Sequence, residues 1–339
     1  MPSAENAILE YEAGQNAVAM AALTDTGDHK TFLSSDELWS DKAGYEAQVR
    51  PNGLETGGNV TPAASGSNDV VDVAALTCFL AGVNTPVAAE TDQAITRGSI
   101  SNFTKHSVTI TSAGAVAIID GTEGTSFSNT RGAAGGPPWI PTGSIEIAQI
   151  HISDKTSAPI DADEIKQVPG IHREMYSYPT WVENRINVEN SVMGYAGIKF
   201  NAALPLIHSD DSGSTTATKK VYASYYTPEF AEIPNAYDFV RPATSYTVNS
   251  TQVYGGTVGS ASRSLGGGSF SFSCRDGITD SLFAEEGSNL WFKFRPHRLK
   301  TPAIYCQGIL GIKESFPAGD AISAECTISA EQEGKRVIS

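Results

Sequence analysis

The feature that most constrains this chain is a two-residue rhythm, clearest in SFPAGDAISAECTISAEQEG (315–334). Side chains alternate across an extended strand. Ile322, Ala324, Cys326, Ile328 and Ala330 therefore share one face, and Ser323, Glu325, Thr327, Ser329 and Glu331 share the other. SFSFSCR (269–275) repeats the pattern, with Phe270, Phe272 and Cys274 set against Ser269, Ser271 and Ser273. A helix cannot use such a period. Charged residues make up only 18% of the chain, against about a quarter in ordinary globular proteins, while 32 glycines and 17 prolines supply turns. The expectation is a mainly β fold with helix well below the usual 30–35%. Its form should be an antiparallel β-sandwich or half-barrel with a short flanking helix, plus a second small β module.

Punctuation by Gly and Pro divides the 339 residues. Residues 1–57 form an N-terminal segment in which Ser34-Ser35-Asp36-Glu37 predicts a capped helix stopped by Gly44. Residues 58–130 read as a small β module of short strands closed by glycines, with a hairpin turn at Gly82-Val83-Asn84. RGAAGGPPWIPTG (131–143) is the sharpest break in composition and reads as a linker or extended arm. Residues 144–339 form the larger β domain. Within it Asp161–Glu164 predicts a cap for a short helix EIKQV, and the polar tip HSDDSGSTTATKK predicts a long hairpin near 200–226. Asp280 or Thr279 predicts a cap for SLFAEE, ended by Gly287.

The net charge of −15 argues against holding nucleic acid, because phosphates demand Lys and Arg. The longest uncharged apolar run, VAALTCFLAGV (73–83), is too short to cross a bilayer, so no membrane partner is expected. MPSAENAILEYEAG has no basic n-region, so no secretory signal is read there. Cys78, Cys274, Cys306 and Cys326 lack CxxC spacing and are expected to be free thiols in a reducing cytoplasm. His208-Ser209-Asp210-Asp211 offers cation ligands but reads better as a solvated turn. No nucleophile elbow, phosphate loop, HExxH or GxGxxG pattern occurs. No enzyme activity, metal or cofactor is expected.

The order strand, short helix, strand, strand, tight turn, acidic strand, ending in ILGIKESFPAGDAISAECTISAEQEGK, resembles the major tail tube proteins of long-tailed bacteriophages. The likeness covers residues 265–337 and extends back through 144–264. Residues 58–130 resemble small β modules of phage virion proteins. The resemblance implies homohexameric rings stacked into a hollow tail that conducts double-stranded DNA without binding it. It also implies tape-measure and tail-terminator proteins as partners, assembly in the bacterial host cytoplasm, and a final place in the virion tail. On that reading Ser323, Glu325, Thr327, Ser329 and Glu331 face the lumen, and Arg131, Gly135, Pro137, Trp139 and Pro141 belong to an arm reaching the adjacent ring. The poorly protected edges of SFSFSC and AISAECTISA are expected to pair with neighbouring subunits. Two other classes fit the same residues. One is a capsid decoration or baseplate and host-binding protein. The other is a carbohydrate-binding or carbohydrate-hydrolysing β-sandwich, which would need paired carboxylates in an aromatic-walled cleft.

Overall fold

A computed structural model describes residues 6–36, 38–40, 42–167, 181–182, 196–204, 207–208, 219–275, 279–330 and 332–337. The chain is mainly β. Strands account for 55% of it, and a single 3-10 turn at Ser281–Glu285 is the sole helical element among the described residues.

The chain opens with β1 (Ile8–Asp25), β2 (Thr31–Leu33) and β3 (Gln48–Pro51). Ten strands follow as an inserted module: β4 (Gly53–Gly57), β5 (Val60–Pro62), β6 (Val70–Val73), β7 (Leu76–Leu80), β8 (Val83–Val87), β9 (Glu90–Ala94), β10 (Thr104–Ile110), β11 (Val116–Ile119), β12 (Ile145–Ile152) and β13 (Ile165–Gln167). The larger fold then resumes with β14 (Trp181–Val182), β15 (Gly197–Phe200), β16 (Lys220–Glu232), β17 (Ala236–Val240), β18 (Ala243–Val253), β19 (Gly256–Gly266) and β20 (Gly268–Ser273). It closes with β21 (Asn289–Arg295), β22 (Ala303–Ser315), β23 (Ser323–Ser329) and β24 (Lys335–Val337).

One twelve-stranded antiparallel sheet carries the order β14-β15-β2-β1-β21-β22-β23-β20-β17, with β16 on β1, β3 on β16 and β24 on β22. β1 makes this possible. Its ladder with β16 is broken between Glu12 and Gly14 and between Val18 and Ala21, and extra residues of this kind bend a strand. Residues 8–11 pair with β21, whereas Thr24 and Asp25 pair with β2. The two ends of β1 thus serve separate cores. The first holds Leu9, Phe270, Phe272, Phe292, Leu310, Cys326 and Ile328; the second holds Phe32, Trp39, Val49, Ile198, Val221 and Tyr225. Glu12 is fully buried at the first irregularity, where Ser40 Oγ, Gln15 Nε2 at 3.3 Å and the Trp291 N–H at 3.1 Å donate to its carboxylate.

A third core belongs to the module and runs from Leu54 to Ile165. It therefore reaches past 58–130 to include β4, β12 and β13. The hairpin β7–β8 turns at Ala81-Gly82, both at positive φ, beginning one residue earlier than the sequence pattern suggested. The Gly/Pro stretch 131–143 is part of this module, not a linker or free arm. Gly135, Gly136, Pro137 and Pro138 are buried, and Arg131 pairs with the fully buried Glu146 at 2.7 Å. Trp139 is half-buried, Pro141 is exposed, and Ile140 donates its N–H to the Ile207 carbonyl at 3.1 Å.

Two expected helices do not form. Around Ser34 the backbone bonds reach across the fold: Ser34 N–H donates to Ala196 O and Ser40 N–H to Tyr226 O, while Trp39 stacks on Tyr225 at 4.7 Å. None of the described residues there is helical, and Glu37 lies outside them. At 161–167 the Glu164 carboxylate does accept the Asp161 N–H at 3.0 Å, but this closes only a turn. Ile165–Gln167 then pairs with β12, because the sheet edge takes the backbone and Ile165 enters the core. The short helix at 281–285 does form, and Gly287 at φ +79° follows it.

The hairpin expected near 200–226 falls largely on residues 205–206 and 209–218, which lie outside the described residues; of the described strands beside it, β15 pairs with β2 and β14, and β16 pairs with β1 and β3.

Candidate functional site

The acidic strand divides as its alternation requires. Ala324, Cys326 and Ile328 are almost completely buried; Glu325, Thr327 and Ser329 are exposed, and Ser323 is half-buried. Glu331 lies outside the described residues. Cross-strand register extends the polar surface in both directions. Ser273, Ser271 and Ser269 of β20 stand opposite Ser323, Glu325 and Thr327. On the other side Ser315, Lys313, Gly311 and Ile309 of β22 oppose Ser323, Glu325, Thr327 and Ser329. Lys313 Nζ lies 3.4 Å from Glu325, so the face is mixed in charge where the isolated strand looked purely acidic. Both side chains are more than two-thirds exposed, and such a pair contributes little to stability. The edge strand β17 adds Tyr237 and Val240, both exposed. The result is a hydroxyl-rich sheet face backed by an aromatic core.

β20 and β23 are not open edges. Within the chain β23 lies between β22 and β20, and β20 lies between β23 and β17, so their backbone groups are satisfied without a neighbour. The expectation that they pair with other subunits is therefore corrected.

An unprotected edge occurs elsewhere, in a feature the sequence reading missed. β18 and β19 form a two-stranded hairpin of eleven paired positions with no register shift, pairing with no other described strand. Nearly every residue of it is exposed, including Tyr246, Val248, Val258 and Leu265. The ribbon prolongs β17 and β20 beyond the end of β23. Its base is held by Gly334 N–H to Pro242 O at 2.8 Å and by Thr244 Oγ1 to Glu333 at 2.6 Å. That hydroxyl is the leading cause of the lowered pKa of Glu333. Between Ala243 and Gly266 the only charged residue is Arg263. The signal was present as VYGGTV, a Gly pair between two runs rich in Thr, Ser and Val, with Gly255 at φ +97°.

The module carries a polar network on the outer side of β10 and β12. Glu146 accepts from Ser107 Oγ at 2.5 Å, from Gln149 Nε2 at 3.2 Å and from Arg131. Lys105, 4% exposed, donates to Asn129 Oδ1 at 3.1 Å and lies over the Phe127 ring, and burial lowers its pKa. Burial, with Lys105 as a second cause, pushes His151 down to about 4. These contacts fasten residues 121–143 onto the sheet. His208 is held by the Pro141 carbonyl at 3.1 Å. Among the described residues no group of three His, Cys, Asp or Glu is placed to hold a metal ion. No family model matches this chain, and no curated protein matches its sequence.

Proposed function

We propose that this chain is a structural virion protein, the subunit of a phage tail tube built from stacked hexameric rings. The observation that carries the reading is the hydroxyl-rich face of β20, β23 and β22 with its closed aromatic backing. A wall past which DNA must slide needs water-compatible groups without an excess of cations, since each Lys or Arg in contact with phosphate releases counterions and holds the duplex. Here the one described cation on this stretch, Lys313, is matched by Glu325, and the chain as a whole is acidic. Ser323, Glu325, Thr327 and Ser329 are the wall residues on this reading, and tape-measure and terminator proteins would meet the lumen and the last ring.

The separate core of residues 53–167 favours a second reading, a capsid decoration or host-binding protein, because a module with its own core can carry a binding face apart from the main sheet. Negative-stain microscopy of the purified chain separates the two. Hollow rods or sixfold rings support the tube, whereas compact trimers that never stack support the second reading and remove the first.

A further inference from the structure

The hairpin of β18 and β19 is built in a way that a permanently solvated ribbon is not. A two-stranded hairpin alone is marginally stable in water, and this one extends about 36 Å at roughly 3.3 Å per residue. Exposed edges are ordinarily blunted by Lys, Pro, bulges or covering elements. This ribbon has neither Lys nor Pro, its register is unbroken, and no described element covers it.

The turn sets which backbone groups are free. Tyr254 and Gly255 form a two-residue loop, so Val253 and Gly256 are the closing hydrogen-bonded pair. Alternate residues then point their N–H and C=O groups outward. On β18 these are Thr244, Tyr246, Val248, Ser250 and Gln252; on β19 they are the residues opposite, among them Ala261 and Arg263. Each edge therefore offers about ten backbone groups to a further strand.

We propose that this hairpin docks edge to edge with the hairpin of a second copy of this chain, the outer edge of β18 in one copy against the outer edge of β19 in the next. The proposal rests on the self-assembly part of the reading above and names the surface that performs it. Two observations select a second copy over an unrelated strand. Both edges are equally unprotected, and a single foreign strand would cover one and leave the other bare. Hairpins related by rotation also run up and down alternately, so β19 of one copy meets β18 of the next antiparallel without any change of direction. Such a head-to-tail contact closes into a ring when the rotation between copies is a whole fraction of a turn. Near-neutrality permits close approach, since Arg263, the one cation of each ribbon, already shares a hydrogen bond with Thr244 Oγ1 at 3.3 Å.

The test compares Ala261→Pro with Ala261→Val in the full chain. Proline removes an outward N–H without breaking an internal ladder bond, whereas valine keeps that N–H. Assembly is followed by light scattering and microscopy, and folding by the near-ultraviolet dichroism of Trp39 and Trp291, which lie in the main-sheet cores. Amide exchange is read residue by residue on parent monomer and assembly. The expected result is that A261P is folded but fails to assemble, that A261V assembles, and that the Val248, Ser250 and Arg263 amides become protected only in the assembly. Should A261P lose the tryptophan signal, the exchange data on the parent decide alone. Equal assembly by A261P and parent, hairpin amides that stay unprotected in assembled parent, or a parent that remains monomeric would each overturn the proposal. Hollow rods with unprotected hairpins would sink hairpin docking and leave the tube standing. Compact trimers with protected hairpins that never stack would do the reverse.

Discussion

Replacing Arg131 with Met tests whether the Gly/Pro stretch is folded structure. The Arg131 side chain is 10% exposed and the Glu146 side chain is wholly buried, with Nη2 2.7 Å from Oε2. The same guanidinium donates to the Pro138 carbonyl, so the loss also frees the strap from its own turn. Methionine leaves a buried carboxylate with only Ser107 Oγ and Gln149 Nε2 as donors. Breaking one partner out of a buried pair costs about 3–5 kcal/mol. For a module of this size 1 kcal/mol shifts the midpoint by about 4 °C, so the module's melting transition should fall by about 12–20 °C. Scanning calorimetry, with Trp139 fluorescence reporting on the strap, gives the number. The double variant R131M/E146L should recover most of the loss, because a well-packed apolar pair replaces a buried ion pair at little cost. A fall of under about 4 °C, or a double variant no better than the single one, would refute the reasoning and return 131–143 to the status of a linker.

Glu123 is held down to about 2 by the N–H groups of Ser101, Ser99 and Ile100, so its hold on that loop is complete above about pH 4.5 and is lost as the pH falls through about 2. Native amide signals of residues 99–101 should stay fixed from pH 7 down to about 3 and move only as the pH falls through about 2, and Glu123→Gln should show the moved signals already at pH 7. Burial raises Cys78 to about 11 and Cys306 and Cys326 to about 12, so iodoacetamide at pH 8 should label the last two roughly a thousandfold more slowly in native than in unfolded protein; labelling at the unfolded rate would mean an open core. Glu325→Lys should alter stability by less than about 1 kcal/mol, as expected for an exposed pair. If β23 lines the channel, the variant's tails should eject DNA more slowly in low salt and recover in high salt; parental ejection from assembled E325K tails takes β23 off the wall.

What could be read from the sequence was whatever depends on neighbours along the chain. The alternation of β20 and β23, the strands of the module and the 281–285 turn all follow from local period and local turns. The failures share a cause. Ser34–Glu37 and Asp161–Glu164 carry genuine capping residues, but Trp39 and Ile165 are drawn into cores formed by distant strands, and tertiary packing outweighs a weak local preference. Glycine misled at 131–143 because it has two uses. A Cβ on Gly135 would lie 2.0 Å from the Ser126 carbonyl oxygen, and one on Gly136 2.1 Å from that of Thr130, so these glycines permit close packing and not freedom. For the candidate site, the wet face of β23 was legible but its Lys313 partner was not, since cross-strand neighbours depend on register. The hairpin is marked in the sequence by VYGGTV alone, because its flanking runs of Thr, Ser and Gly lack the apolar face that would give them a readable period.

The placement of β1 bears on how the chain emerges from a ribosome. Leu9 pairs opposite Phe294, a separation of about 285 residues, whereas the inserted module is complete once residue 167 is made. At roughly 5–20 residues per second, β1 waits about 15 to 55 s for β21 while the module folds beside it. During that interval the first residues of β1, Ile8–Tyr11, are held without β21, and misassociation with other nascent chains competes with folding. Glu10 and Glu12, later paired or enclosed, repel like strands while they are still bare, and the two irregularities that let β1 serve two cores also spoil it as a template for an identical strand.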